Sequence, residues 1–573
     1  MQLIARKRQF EAALVVLLLF VAVPSFCGCT GTTKNGNPAG KSTDAVSGTG
    51  GAGSVPNQAS LQPLEIKGEK SIPISPASAF AIPLFASLFK NHGTDIKISD
   101  DGIKIDMKDY SHFSSQLAIT FWKEAKTCIV ANSYGESLLL SPLSWMLDAP
   151  ILIYGNTTGS AMSILKPDSV ISTDGVPIDT GIKLSTDGIL DCTLQKARER
   201  NVNLKYAVFT NSNDSGSAVP YLSSLSALIS AYRNGVIVQI ADGYYPAGAV
   251  IETNATGIIQ MVKKTITAIN PNYVCIVGAP DSVPFIINKT IVEPTEGVLV
   301  ASDNYYADTD DKPLFPEVAI GRILAANLID ASALFHRYVG YNEYLEESAV
   351  NQLSWQNCAF IYTVGSVEES IPCVEQTTKS LIDAEFTVYQ SHSYASNVLA
   401  QQLLATANYN YLWMLDHGTV GGCGLADFSG IACHPSVVYS GGCNTGHTDN
   451  VTLKDTAVCK AINAGVASYV GPTRVAWAGL RIGAHDLTPY CRYTRDDYMA
   501  KTFFGRLAGQ NLSVGIALKN AKINYFNDSF VFVIGSYPED EYNYDDIDMV
   551  TLLESTLYGD PAFNPYEPCN EGK

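Results

Sequence analysis

The sequence predicts an α/β protein whose main body is a doubly wound, mostly parallel sheet, preceded by a smaller α/β domain of degenerate βαβ repeats. Three observations carry this. From residue 63 onward, short apolar runs alternate with longer helical patterns, the signature of strands crossed over by helices. Two early stretches repeat one order of strand, Asn-Ser, Ser/Leu-rich helix and strand. Two later apolar runs, in "YLWMLDHGTVGG" and "SVVYSGGCNTGH", lead straight into His417-Gly418 and Gly441-Gly442-Cys443.

The chain of 573 residues is too long for one ordinary domain, and 46% apolar residues suffice for more than one core. Its 38 basic and 56 acidic residues leave a net charge of −18, which repels phosphate backbones and argues against a nucleic-acid partner. Residues 1–29 read as an export signal: Arg6, Lys7 and Arg8 precede an apolar run from Ala12 to Val23 that is short for a membrane span. "PSFCGCTGTT" offers a lipoprotein-type cleavage before Cys29, with a simple secretory signal or an uncleaved anchor as alternatives. Residues 30–62 are rich in Gly, Ser and Thr without periodicity and read as a flexible tether. The expected location is therefore outside the cell or on the outer face of its membrane, with the N-terminus engaging membrane or envelope.

Residues 63–265 form the predicted N-terminal α/β domain. In it "CIVANS", a helix through "GESLLLSPLSWML" and "APILIYG" parallel the later "YAVFTNSND", "LSSLSALISAYR" and "GVIVQIADG". A second series fills residues 266–569: "NYVCIVGAPDSVPFII", "EVAIGRI", a long helical pattern from Asn327, "CAFIYTVGS", a helix from about Glu369, "FTVYQ", and then the two runs that end at His417 and Cys443. In a doubly wound sheet, reactive groups gather at the C-terminal ends of strands.

A residue just past a buried strand is held rigidly yet exposed to a ligand. Cysteine attacks a carbonyl as thiolate, and a nearby imidazole favours that form and can later protonate a leaving amine. Gly418, and Gly441 with Gly442, would let backbone amides approach a developing oxyanion with no Cβ in the way. The pattern suits thiol-based acyl transfer. Asp416 is a poor third member, because neighbours on an extended strand point to opposite faces.

These residues resemble the gingipain-type cysteine peptidases, relatives of the caspases and legumain. The likeness runs from "ASDNYYADTDDKPLFPEVAIGRILAANLIDASALFHRYVGYNEY" through "MLDHGT", "YSGGCNTG" and "VASYVGPTRVAW" to "TLYGDPAF". It implies a caspase-like fold for residues 266–569 and an endopeptidase acting on polypeptides. His417 would be the general base and acid, Cys443 the nucleophile, and Gly418 and Cys443 the oxyanion donors. In that clan an acid in the primary pocket selects Arg or Lys; Asp303 and Glu296 stand at matching places, and Trp477 would wall the pocket.

Other readings of the same residues stay open. His447, three residues after Cys443, is the rival base. Cys423, Cys433, His434, Cys443 and His447 form a Cys/His cluster without the close Cys-x-x-Cys pairs of zinc sites, and a Cys423–Cys433 disulfide is the better expectation. Cys128, Cys275 and Cys358 read as buried thiols. No cofactor is required; the acidic stretches Ala307 to Pro313 and Tyr537 to Met549 are compatible with structural calcium, though neither has EF-hand spacing. A non-catalytic surface adhesin or envelope-binding protein on a peptidase-like scaffold is the alternative of a different class.

Overall fold

The computed structural model describes residues 61–66, 70–178, 181–240, 250–252, 257–310, 314–350, 355–364, 370–393, 409–424, 427–477, 491, 494–529 and 544–569. The export signal with Cys29, nearly all of the tether, and parts of both acidic stretches (311–313 and 537–543) lie outside the described residues.

Both repeats form βαβ units. In the first, β1 (Thr127–Ala131) leads through helix α1 (Tyr134–Leu147) to β2 (Ile151–Ile153), and β1 and β2 pair in parallel. Helix α1 starts where the sequence supplies its cap: the Ser133 hydroxyl accepts the Glu136 N–H at 3.3 Å, while the Glu136 carboxylate accepts the Asn132 N–H at 2.6 Å. With β3 (Ser169–Thr173) and β4 (Ile182–Leu184) these strands make a four-stranded parallel sheet in the order β2-β1-β3-β4. In the second repeat, β5 (Tyr206–Thr210) leads through helix α2 (Leu225–Arg233) to β6 (Gly235–Gln239), again a parallel pair.

That second unit belongs to the large sheet. Its other strands are β7 (Tyr273–Val277), β8 (Ala319–Ile323), β9 (Cys358–Val364), β10 (Thr387–Ser393), β11 (Tyr411–Leu415), β12 (Val437–Ser440), β13 (Ser468–Pro472) and β14 (Ser555–Tyr558). The ten run in the order β10-β9-β11-β12-β13-β14-β8-β7-β5-β6, parallel at every junction except β13–β14. The mostly parallel architecture read from the sequence is thus present. The division at 265/266, however, runs through this sheet, since β5 and β6 precede it. An unbroken alternation of strands and helices does not reveal which strands pair.

Strands covered on both faces should read as continuous apolar runs. They do: all five residues of β11, "YLWML", and all four of β12, "VVYS", are buried. Helices α3 (Ala457–Ala464) and α4 (Asp496–Leu507) pack on this region of the sheet, with the Tyr439 ring of β12 5.6 Å from Phe503 of α4. The Gly-Asp-Pro near the C-terminus fastens the far side of the sheet. Asp560, buried, accepts the Tyr206 hydroxyl of β5 at 2.7 Å and the Arg233 Nε of α2 at 2.7 Å.

Cysteine use differs from expectation at one point. Cys128, Cys275 and Cys358 are buried free thiols as read, but Cys423 and Cys433 are free as well. The bridge among the described residues joins Cys373 and Cys491, 118 residues apart. Cys433 is drawn away from Cys423 because its N–H pairs with the Ala464 carbonyl at the end of α3.

Candidate active site

β11 and β12 are parallel neighbours in the register Met414 with Ser440. His417 lies three residues beyond Met414 and Cys443 three beyond Ser440, so both leave the same rim at the same level. Gly418 closes the gap between the two turns. A Cβ built there would fall 2.4 Å from the Cys443 carbonyl oxygen and 2.5 Å from the Cys443 nitrogen, an approach only glycine allows. After Gly418 the chain folds back on itself, Gly418–Thr419 pairing with Gly422–Cys423 in a short antiparallel hairpin.

The turn that carries Cys443 is pinned to the end of β13. The Asn444 N–H donates to the Arg474 carbonyl at 2.7 Å, the Gly446 N–H to the Pro472 carbonyl at 2.8 Å, and the Thr445 hydroxyl to the Gly442 carbonyl at 2.8 Å. Asn444 takes the left-handed conformation, φ 60°, that such a turn requires and that Asn tolerates. The Cys443 sulfur, half-buried, rests 3.7 Å from the Ala476 carbonyl.

Burial pushes the Cys443 thiol above its ordinary value, and the Glu554 carboxyl adds to the rise; backbone groups of Ala476, of Cys443 itself and of Gly418 pull it back. Any reaction through its thiolate near neutral pH would therefore need a base. His417 is exposed at the rim, and among the described residues its ring has no hydrogen-bond partner. Asp416 is committed elsewhere: it accepts the His417 backbone N–H at 2.6 Å and the Tyr362 hydroxyl at 2.8 Å. The rival His447 is half-buried, its Nε2 3.6 Å from Asp449, and burial holds its imidazole below the usual range. Asp449 in turn takes a bidentate pair from buried Arg474, at 3.0 and 2.9 Å. His447 thus sits over an ion pair that orders the loop.

The three predicted specificity residues have different fates. Asp303 is buried and accepts two hydrogen bonds from fully buried Arg322, one of them from Nε at 2.9 Å. The same guanidinium donates to the carbonyls of Gly278 and Val283 and stacks 4.5 Å from the Phe285 ring. Asp303 is thus the buried counter-charge of Arg322. Glu296 is exposed, on the turn between the strands Phe285–Val292 and Leu299–Ser302, and its charge reaches His447. Trp477 is half-buried directly after Ala476, and the Arg495 guanidinium lies 5.8 Å from its ring.

Two acids that the sequence did not single out lie behind the Cys443 turn. A Cβ on Gly441 would come 2.8 Å from Asp496 Oδ2, which has no hydrogen-bond partner, while Asp496 Oδ1 accepts the Tyr439 hydroxyl at 2.7 Å. Burial pushes the Asp496 carboxyl up to about 7. Glu554, also buried with both oxygens unpartnered, is raised well above its ordinary value by burial and by Asp496. Asp496 has a raised folded-state pKa, so its stabilising contribution is complete below the unfolded value near 3.9 and is lost as pH rises through about 7. Asp496→Asn keeps the acceptor for Tyr439 and removes the titration. The unfolding free energy of the variant, read from urea titration, should exceed that of the parent at pH 8 by roughly 1–3 kcal/mol, and the difference should shrink towards pH 5.

The Cys/His cluster disperses. The His434 ring stacks on Trp355 at 4.9 Å, Cys433 faces Gly465, and His447 turns to Asp449. The carboxylates of Asp308, Asp310 and Glu317 do converge, with ligand oxygens within 4.8 Å of one another. All three are hard oxygen donors of the kind calcium takes. Glu317 also accepts the Thr309 N–H, and Asp308 the Asp310 N–H.

The family model described as peptidase family C25 matches residues 205–566, more than half of the chain. No curated protein sequence matches. Among solved structures, the separase–securin complex of Saccharomyces cerevisiae is similar at 12% identity and a TM-score of 0.29, over 50% of this chain; the match spans 15% of that chain.

Proposed function

The chain belongs to peptidase family C25, the gingipain family of cysteine peptidases, and on that footing we propose that it is an endopeptidase whose nucleophile is Cys443 and whose base is His417. Polypeptides are the substrates the family implies. Cys443 would give its proton to His417, and the thiolate would attack the scissile carbonyl. The Gly418 and Cys443 amides would hold the oxyanion, His417 would protonate the departing amine, and water would then hydrolyse the thioester. What supports the pairing is the shared register of the two strand ends and the contact of Gly418 with Cys443. Trp477, next to the Ala476 carbonyl that touches the sulfur, is proposed to wall the pocket for the residue preceding the cut, with Glu296 at its rim. We further propose that the protein is exported and held at the cell surface by its N-terminus, and that the part of the N-terminal region ahead of β5, with its separate four-stranded sheet, docks substrate or envelope.

The two imidazoles are separated by substitution. His417→Ala should cut the rate of Cys443 alkylation by iodoacetamide at pH 7 by about 10²-fold and abolish peptide cleavage, with reactivity recovering as pH is raised towards the free-thiol range. His447→Ala should leave alkylation within a few-fold of the parent. The reverse pattern would transfer the base to His447.

A further inference from the structure

A second thiol lies immediately behind the proposed nucleophile. Cys423 is 1% exposed, and its Sγ lies 2.9 Å from where a Cβ on Gly442 would be, so it rests on the backbone just before Cys443. Two glycines create this approach. Gly418 pairs with Cys423 across the hairpin and lies against the Cys443 nitrogen and carbonyl on its other side, while Gly442 offers the sulfur a face without a side chain. A bulkier residue at either place would part the two cysteines. The charge of one sulfur is felt by the other, since Cys443 contributes to the raised value of the Cys423 thiol. Cys443 is the more exposed of the pair, and the hairpin that carries Cys423 starts directly after His417.

We infer that Cys423 is a resolving thiol that captures Cys443 when a hydroperoxide oxidises it, closing a reversible disulfide that switches the peptidase off and shields its sulfur. The proposal rests on the reading of Cys443 as nucleophile. The Cys443 thiolate attacks one oxygen of hydrogen peroxide; an S–O bond forms, the O–O bond breaks, and the departing hydroxide takes the proton that Cys443 gave to His417 and leaves as water, so that the sulfur is oxidised by two electrons to a sulfenic acid. Cys423 then attacks that sulfur; an S–S bond forms, the S–O bond breaks, and the hydroxyl departs as water with the Cys423 proton. A dithiol returns both thiols. Without a partner, the sulfenic acid would go on to the sulfinic acid, which dithiols do not reverse.

The experiment uses the full chain, its Cys423→Ser and Cys423→Ala variants, and hydrogen peroxide as the probe. Basal peptide cleavage should be the same in all three, because Cys423 takes no part in the chemistry. After peroxide and removal of the excess, non-reducing peptide mapping of the parent should show the fragments containing Cys423 and Cys443 joined, and dithiothreitol should restore most of the cleavage rate. Both variants should lose activity irreversibly, with Cys443 recovered as sulfinic acid. Equal recovery of parent and variants, or a parent map with Cys443 oxidised and no link to Cys423, would overturn the inference. The mapping reads the cross-link without any need for cleavage, so a linked but inactive protein would count against the peptidase reading and not against the thiol pair.

Discussion

Cys443→Ala is expected to lower kcat/KM for peptide cleavage by about 10⁴-fold or more while leaving the fold intact. The size follows from chemistry. Removing a nucleophile removes the covalent path, and what remains is the weak help of oxyanion donors and binding. The fold should survive because the turn is held by backbone groups: the N–H groups of Asn444 and Gly446 reach carbonyls of Arg474 and Pro472. The sulfur's own contact is one carbonyl at 3.7 Å. Peptide cleavage and circular dichroism on the same preparation check both halves. An adhesin on this scaffold would lose nothing measurable by the substitution.

Asp303→Ala should have the largest effect on stability, about 3–5 kcal/mol. The Arg322 guanidinium is completely buried and has one carboxylate partner, with the carbonyl oxygens of Gly278 and Val283 both accepting from Nη1. Truncating Asp303 strands a charge where water does not reach. Buried Lys522 adds to the cost, because Asp303 helps offset the burial that lowers its ammonium to about 7. The loss should appear as a shift in urea midpoint with no change in the preferred cleavage residue. A change of cleavage preference at unchanged midpoint would return Asp303 to the specificity pocket.

The contrast between Cys443 and Asp303 shows what was legible in the sequence. The strands at 411–415 and 437–440 were readable because strands buried on both faces must be apolar throughout, and their abrupt ends at His-Gly and Gly-Gly-Cys mark a rim. The βαβ repeats were readable for the same reason. The role of Asp303 was not, since an acid after a strand looks alike whether it meets solvent or an arginine 19 residues on. The Cys373–Cys491 bridge spans 118 residues, a distance at which composition carries no pairing information. The placement of β5 and β6 depended on sheet order, which alternation leaves undetermined. Asp496 was missed because a buried acid in sequence resembles a helix-start acid, and Glu554 because an acid at the last position of a helix gives no sign of its burial. The one available signal was the doubled Asp496-Asp497 opening α4, which reads as an ordinary helix start.

The central claim, that the sulfur at the end of β12 attacks peptide carbonyls, is tested most directly by a peptidyl acyloxymethyl ketone, which alkylates a thiol only where a peptide can bind beside it. The account predicts that cleavage stops at one inhibitor per chain, that the adduct maps to Cys443, and that His417→Ala prevents its formation. Cleavage that persists with Cys443 fully modified, or an adduct on a different cysteine, would contradict it.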